Sequence, residues 1–293
     1  MVPVTVARRP TAGATLVELV VALVLGGVVA GAVGVVLHDH QRFYRSESQI
    51  LDVEEGLRAV VQLLPAELRE LDARAGDLVA LGRDSVSIRA MRGLAVICAA
   101  PDRASGSVVI ADSLTYGWRG IDPTRDRALV FRDGDPGTAA DDRWLDFTVT
   151  SVGAATRCGD GGPGTGLRLA GPTADLDSVA AGSPVRTYER VVYRLYADDQ
   201  GQSWLGERGY GGGSWSALSP VAGPLRRAGG LAFAFFDSAG AATSDPRAVV
   251  RVGITARGLS AAAIDVPGRA ASGRPFEDSV AVAVALRNNP GAP

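Results

Sequence analysis

Side chains able to do catalytic or metal chemistry are few in this sequence, and their spacing disfavours most enzyme classes. The two histidines, His38 and His40, sit two residues apart, and side chains at that spacing on a helix do not face each other. Cys98 and Cys158 are the only cysteines, so a Cys/His zinc site lacks ligands. All 30 basic residues are arginine; without lysine, neither Schiff-base chemistry nor a phosphate-binding P-loop lysine is available. Serines are plentiful, but both histidines lie far upstream of the body of the chain, which leaves that body no histidine for a triad. Asp and Glu number 32, so carboxylate-pair catalysis stays open, although nothing singles out a pair. The acidic stretch at 132–142, with Asp133, Asp135, Asp141 and Asp142, lacks the order and terminal glutamate of an EF-hand and reads as a solvated turn. The glycine-rich stretch at 159–166 lacks a following apolar helix and is interrupted by Pro163, so it reads as a loop without a phosphate role. Trp118, Trp144, Trp204 and Trp215 could line a sugar or peptide groove, or serve as core and rim residues. No catalytic residue, metal or cofactor is expected.

One carboxylate has a position that asks for a role. Glu18 is the only charge in residues 14–37, a run that as a helix spans about 36 Å, enough to cross a hydrocarbon core of roughly 30 Å. A carboxylate deep in such a helix costs on the order of 3 kcal/mol, so it is rarely without a partner. Arg8 and Arg9 precede the run, which places the amino terminus in the cytoplasm and the rest across the membrane. A secretory signal peptide has the same basic-then-apolar order, but its apolar part is shorter and ends at a small-residue cleavage site. Here the run continues directly into charged, helical sequence.

The string Gly13-Ala14-Thr15-Leu16-Val17-Glu18-Leu19 at the head of that run resembles the leader of type IV pilins and of type II secretion pseudopilins. The resemblance implies cleavage by a prepilin peptidase between Gly13 and Ala14, and N-methylation of the new amino group of Ala14. Alanine at 14 departs from the phenylalanine usual there. The resemblance also implies that Glu18, about one turn or roughly 6 Å into the helix, pairs with the terminal amine of a neighbouring subunit during assembly. Gly27 and Gly31 form a G-x-x-x-G spacing, with Gly34 beyond, that lets helix backbones approach closely.

From 38 to 75 the pattern stays helical but turns amphipathic: Ile50, Val53, Leu57, Val60, Val61, Leu64, Leu68 and Leu71 recur at three- and four-residue steps. This segment reads as the extramembrane continuation of the anchor, with one stripe laid on a head domain. Pro65 is expected to bend or interrupt it and to pull Leu64 toward an extended conformation. Beyond 76, short apolar runs cut by Gly, Asp and Pro predict strands at 85–90, 94–99, 108–114, 128–132, 144–151, 186–196, 203–208, 230–237, 248–257 and 280–287. Residues 198–201 form the turn of a hairpin. Cys98 and Cys158, 60 residues apart and outside the cytoplasm, are either one disulfide or two separate thiols, the disulfide being the simpler expectation there.

The expected organisation is therefore a leader at 1–13, a transmembrane helix at 14–37, an extramembrane helix at 38–75 and a β-rich head at 76–293 with a flexible carboxyl tail. The fold class is α+β, a long helix packed on a pilin-like head. Parts of the second half, among them residues 188–195, Trp204-Leu205, 231–233 and the closing run 284–289, resemble J-type pseudopilins and W-type minor pilins. The resemblance implies a structural subunit, not an enzyme, which initiates or caps a filament. Its partners would be other major and minor pilins or pseudopilins, the prepilin peptidase, an inner-membrane assembly platform and the lipid bilayer. It implies a single-pass protein of the cytoplasmic membrane with its head outside, and a filament location after assembly. A membrane-anchored envelope enzyme or a carbohydrate- or peptide-binding module is the alternative. The net charge of -2 gives no support for nucleic-acid binding, although a local basic patch such as Arg226 and Arg227 would escape that test.

Overall fold

The computed structural model describes residues 13, 15–135, 137–138, 140–264 and 273–288. Helix α1 (Leu16–Arg69) is continuous over 54 residues. Its first half presents apolar side chains outward and buries none of them. Its second half buries the stripe Val53, Leu57, Val60, Leu64 and Leu68 against the sheet described below, so one helix serves as both stem and core element.

Two expectations about this helix are corrected. Pro65 does not interrupt it, and Leu64 is helical and fully buried rather than extended. Proline within a helix costs about 3 kcal/mol. Burying Leu64, Leu68 and Leu71 together outweighs that, at about 2–3 kcal/mol each. The helix also ends at Arg69, short of residue 75. Beyond it the chain folds back on itself: the Asp77 carboxylate accepts from the Asp72 N–H at 2.9 Å, and the Asp72 carboxylate accepts from the Ala75 N–H at 3.0 Å.

Fourteen strands lie among the described residues, and every pairing is antiparallel. They are β1 (Leu78–Leu81), β2 (Ser85–Val96), β3 (Ser107–Ala111), β4 (Tyr116–Gly117), β5 (Arg127–Arg132), β6 (Arg143–Arg157) and β7 (Pro163–Ala170), then β8 (Pro184–Ala197), β9 (Ser203–Gly211), β10 (Ser214–Trp215), β11 (Ser219–Leu225), β12 (Leu231–Phe236), β13 (Arg251–Ile264) and β14 (Arg274–Ala285). The runs expected at 85–90 and 94–99 are one long strand, β2, with a register shift between Met91 and Gly93. The run at 108–114 stops at Ala111 and continues as a 3-10 turn. The stretch expected as a loop at 159–166 is strand from Pro163 onward.

Strand β8 organises the head. Along one edge it pairs with β2; along the other it pairs with β5 through Val185–Tyr188 and with β9 through Arg190–Ala197. The β9 side continues through β11 and β13 to β12 and β14, and its inner face holds α1. The β5 side continues through β6 and β7 to β3, and Ile110 of β3 bridges to Ile97 at the end of β2. The sheet thus closes into a six-stranded barrel, β2-β8-β5-β6-β7-β3. Its interior is filled by alternate residues of each strand, among them Ala95, Ile97, Ile110, Val130, Phe147, Leu167 and Val185, as expected for a small barrel packed with side chains. The head therefore has two cores, one against α1 and one inside the barrel.

The carboxyl end is tied down rather than loose as far as residue 288. The Arg287 N–H donates to the Arg69 carbonyl at 2.8 Å, and the Asn288 side-chain amide donates to the Glu70 carbonyl at 2.7 Å. These two bonds satisfy carbonyls that the end of α1 leaves without intrahelical partners. The expected tail beyond residue 288 lies outside the described residues.

Candidate functional site: the helix start and the stem joint

The start of α1 is built by a reciprocal cap. Thr15 is the N-cap; its hydroxyl oxygen accepts from the Glu18 N–H at 3.3 Å, and the Glu18 carboxylate accepts from the Thr15 N–H at 2.9 Å. The Thr15 hydroxyl also donates to that carboxylate at 3.1 Å. This capping box satisfies two of the unpaired donors of the first turn. It also turns the carboxylate back toward the amino-terminal end of its own helix. Gly13 is exposed; Ala14 and the leader residues before Gly13 lie outside the described residues.

Downstream of the cap, Leu16, Val17, Leu23, Val28 and Val36 are among the large apolar side chains more than half exposed. No Cβ placed on Gly26, Gly27, Gly31 or Gly34 would meet another atom within 4 Å. The glycine face is open, and α1 is long and apolar enough to cross a membrane. His38, His40 and Tyr44 are exposed where the apolar run ends, and the His40 ring stacks on Tyr44 with centroids 6.3 Å apart. Aromatic side chains are enriched at that level of a membrane-spanning helix.

The lower stem is fixed to the head by a partly buried charge network that the sequence alone did not reveal. Glu67 of α1 accepts from Arg92 Nη1 of β2 at 3.0 and 3.1 Å. Arg92 Nε donates to Glu189 of β8 at 3.3 Å. Arg119 reaches the same Glu189 oxygen at 3.4 Å and holds Asp126 through two bonds of 2.7 Å. Burial pushes the Glu67 carboxyl above its ordinary value, with Arg92 opposing. Burial likewise raises Glu207, which has a hydrogen bond from Tyr193. These groups come from α1, β2, β8, β9 and the loop before β5, and only the tertiary fold places them together.

The other residues singled out from the sequence are dispersed. Cys98 and Cys158 are joined in a disulfide, S–S 2.03 Å, which fastens the end of β2 to the β6–β7 hairpin. Gly164 is small for a reason: a Cβ there would stand 2.9 Å from the Ile110 carbonyl oxygen and 3.1 Å from Cys158 Sγ. In the acidic loop, Asp141 and Asp135 accept backbone N–H groups of Asp135 and Gly137, each at 2.9 Å. Among the described residues no group of three or more His, Cys, Asp or Glu side chains is placed to hold a metal ion. The tryptophans do not share a groove: Trp204 donates to Asp198 at 2.8 Å, Trp144 lies under Arg186, Trp215 packs on Tyr210, and Trp118 is 78% exposed.

No curated protein and no solved structure matches the chain. Residues 8–34 match the family model of the prokaryotic N-terminal methylation motif, a span that includes Gly13, the Thr15–Glu18 cap and the open glycine face. The motif supports a type IV pilin-like family and indicates a pilin- or pseudopilin-like precursor, and the long apolar first half of α1 is consistent with membrane anchoring.

Proposed function

We propose that the chain is a minor pilin or pseudopilin, of the J or W type, which initiates or caps a type IV pilus or type II secretion pseudopilus. The observation that carries this reading is the exposed, capped helix start: an apolar surface with one carboxylate fixed at its first turn by Thr15. Prepilin peptidase would cut between Gly13 and Ala14 and leave the anchor on the mature chain, with the head outside the cytoplasm and the Ala14 amine methylated. In a staggered stack of such helices, the Glu18 carboxylate of one subunit meets the terminal ammonium of another. At 4 Å and an effective dielectric near 20, the pair attracts by about 4 kcal/mol before desolvation. The attraction sets the stagger, and the glycine face permits close backbone approach. The expected partners are other pilins or pseudopilins, the peptidase and the inner-membrane platform.

The test is Glu18→Gln in the full-length chain. The expected result is a mature amino terminus at Ala14 by mass spectrometry, normal membrane fractionation and loss of filament incorporation. Normal incorporation of this variant overturns the role given to the carboxylate. An intact initiator methionine in the wild-type protein overturns the reading as a whole.

A further inference from the structure

The near-neutral composition conceals a segregated charge distribution. Strand parity places Arg186, Arg190 and Arg194 on the face of β8 turned away from α1, because Val191 and Tyr193 are buried on the opposite face against the stem. Arg208 of β9 pairs with Val192 and so fills the row between Arg190 and Arg194. Positions two apart on a strand advance about 6.8 Å, so in this ladder Arg190, Arg208 and Arg194 follow at that step along the strand direction, Arg208 one strand to the side, while Arg186 stands a double step before Arg190. Arg89 and Arg127 stand beside it on β2 and β5, paired with Arg190 and Tyr188 respectively. Against six arginines the face carries two aspartates: Asp146 holds Arg89 and Arg127, and Asp77 holds Arg186.

Arg190, Arg194 and Arg208 have no carboxylate partner among the described residues. Two of them are held by rings instead. Arg190 lies 4.8 Å from the Tyr210 centroid and 5.6 Å from that of Trp215, and Arg208 lies 5.0 Å from that of Trp215. Arg208 Nε is buried without a hydrogen-bond acceptor. A guanidinium stacked on a ring is fixed in orientation, while its N–H donors at the edge stay free for an oxoanion. At the Arg186 end of the row, a groove of about 610 Å³ is lined by Tyr116, Trp118, Arg186 and Arg287, with Glu70 also in its wall. Trp118 is 78% and Tyr116 63% exposed, so both rings have open faces.

We propose that this face binds single-stranded nucleic acid without reading its sequence. Arginines without carboxylate partners beside open aromatic rings supply the cationic track and the stacking platform of such surfaces. An acidic polypeptide would also satisfy the arginines, but it supplies no planar groups for Trp118 and Tyr116. The inference does not depend on assembly of the chain into a filament.

The experiment is fluorescence anisotropy of a labelled oligothymidylate titrated with the full-length protein in nonionic micelles, over a range of salt concentrations. Wild-type binding should weaken steeply with salt. R190Q/R194Q/R208Q should bind about tenfold or more weakly at low salt, and its log–log salt slope should be shallower by about 2, three single-strand phosphate contacts having been removed. R190K/R194K/R208K should keep the slope, and R226Q/R227Q should bind as wild type. Any of four results overturns the proposal: no binding at low salt, an unchanged slope in the triple Gln variant, an equal loss in R226Q/R227Q, or poly-glutamate bound as tightly as the oligonucleotide.

Discussion

Gly56 of the stem helix lies directly against Gly223 of β11: a Cβ built on Gly56 would stand 2.4 Å from the Gly223 carbonyl oxygen. Both partners in this contact are backbone, so neither can swing aside. Gly56→Ala gains about 1 kcal/mol of helix propensity but overpacks the joint, at a cost of about 1–3 kcal/mol. The expected net effect is a destabilised head, by up to roughly 2 kcal/mol. Gly31→Ala, with nothing within 4 Å, should leave head unfolding unchanged. Thermal denaturation of the two variants in the same detergent compares them directly.

The disulfide between Cys98 and Cys158 closes a 60-residue separation that contains three of the six barrel strands, β3, β5 and β6. A loop of that length restricts the unfolded chain by about 4 kcal/mol in the chain-entropy account. Replacing both cysteines by alanine should lower the melting temperature by on the order of 10 °C. Reductant should produce a similar drop in the wild type and none in the variant. A wild-type melting curve insensitive to complete reduction would show that the bond contributes little.

Much of this architecture could be read from residue patterns, and the failures have physical causes. The apolar run, the stem stripe and most long strands follow from periodicity, because each buries one face against a single partner. Pro65 misled because a local preference was set against three leucines that only the tertiary fold buries. Strand β7 was hidden by its glycines: Gly164 is required by close approach to β3 and the disulfide, and the strand is made by pairing on both edges while it buries Leu167 and Leu169. Closure of the barrel rests on one bridge, Ile97 to Ile110, for which the chain carries no local signature. Average charge is blind to which face an arginine occupies, so the ladder on β8 and β9 emerges only once register is known. The Thr15–Glu18 cap is the opposite case, since a capping box is a local pattern.

Acid should at first stabilise the head. Burial raises the carboxyls of Glu67 and Glu207 above 4.5 and that of Asp77 above 3.8. A raised carboxyl binds its proton more tightly in the folded state, so its contribution is present at low pH and lost as pH rises through the folded value. Hydrogen bonds to Asp102, Asp122 and Asp198 act oppositely: their carboxyls lie below 3.8, and what they contribute is lost as pH falls beneath that value. The melting temperature should therefore rise as pH falls from neutral toward the ordinary glutamate value of 4.5 and drop again below 3.8. Glu207→Gln should flatten the rise. A melting temperature that only falls on acidification would count against the buried-carboxyl account.

The joint between stem and head should be most sensitive at Arg92, the residue shared by Glu67 and Glu189. Its side chain and those of both carboxylates are 13% exposed or less. Glu189 keeps Arg119 at 3.4 Å and Arg125 at 3.9 Å when Arg92 is removed. Among the ion pairs of the described residues, Glu67 has Arg92 alone. Arg92→Met therefore leaves one buried carboxylate without its cation, a change that typically costs 3–5 kcal/mol. Glu67→Gln keeps a hydrogen-bond acceptor toward Arg92 and should cost less. With Gln already at 67, adding Arg92→Met should be less damaging than in the wild type, since no charge is then stranded. Chemical denaturation of the two single variants and the double variant measures this coupling, and strict additivity would mean that Glu67 and Arg92 do not act as a pair.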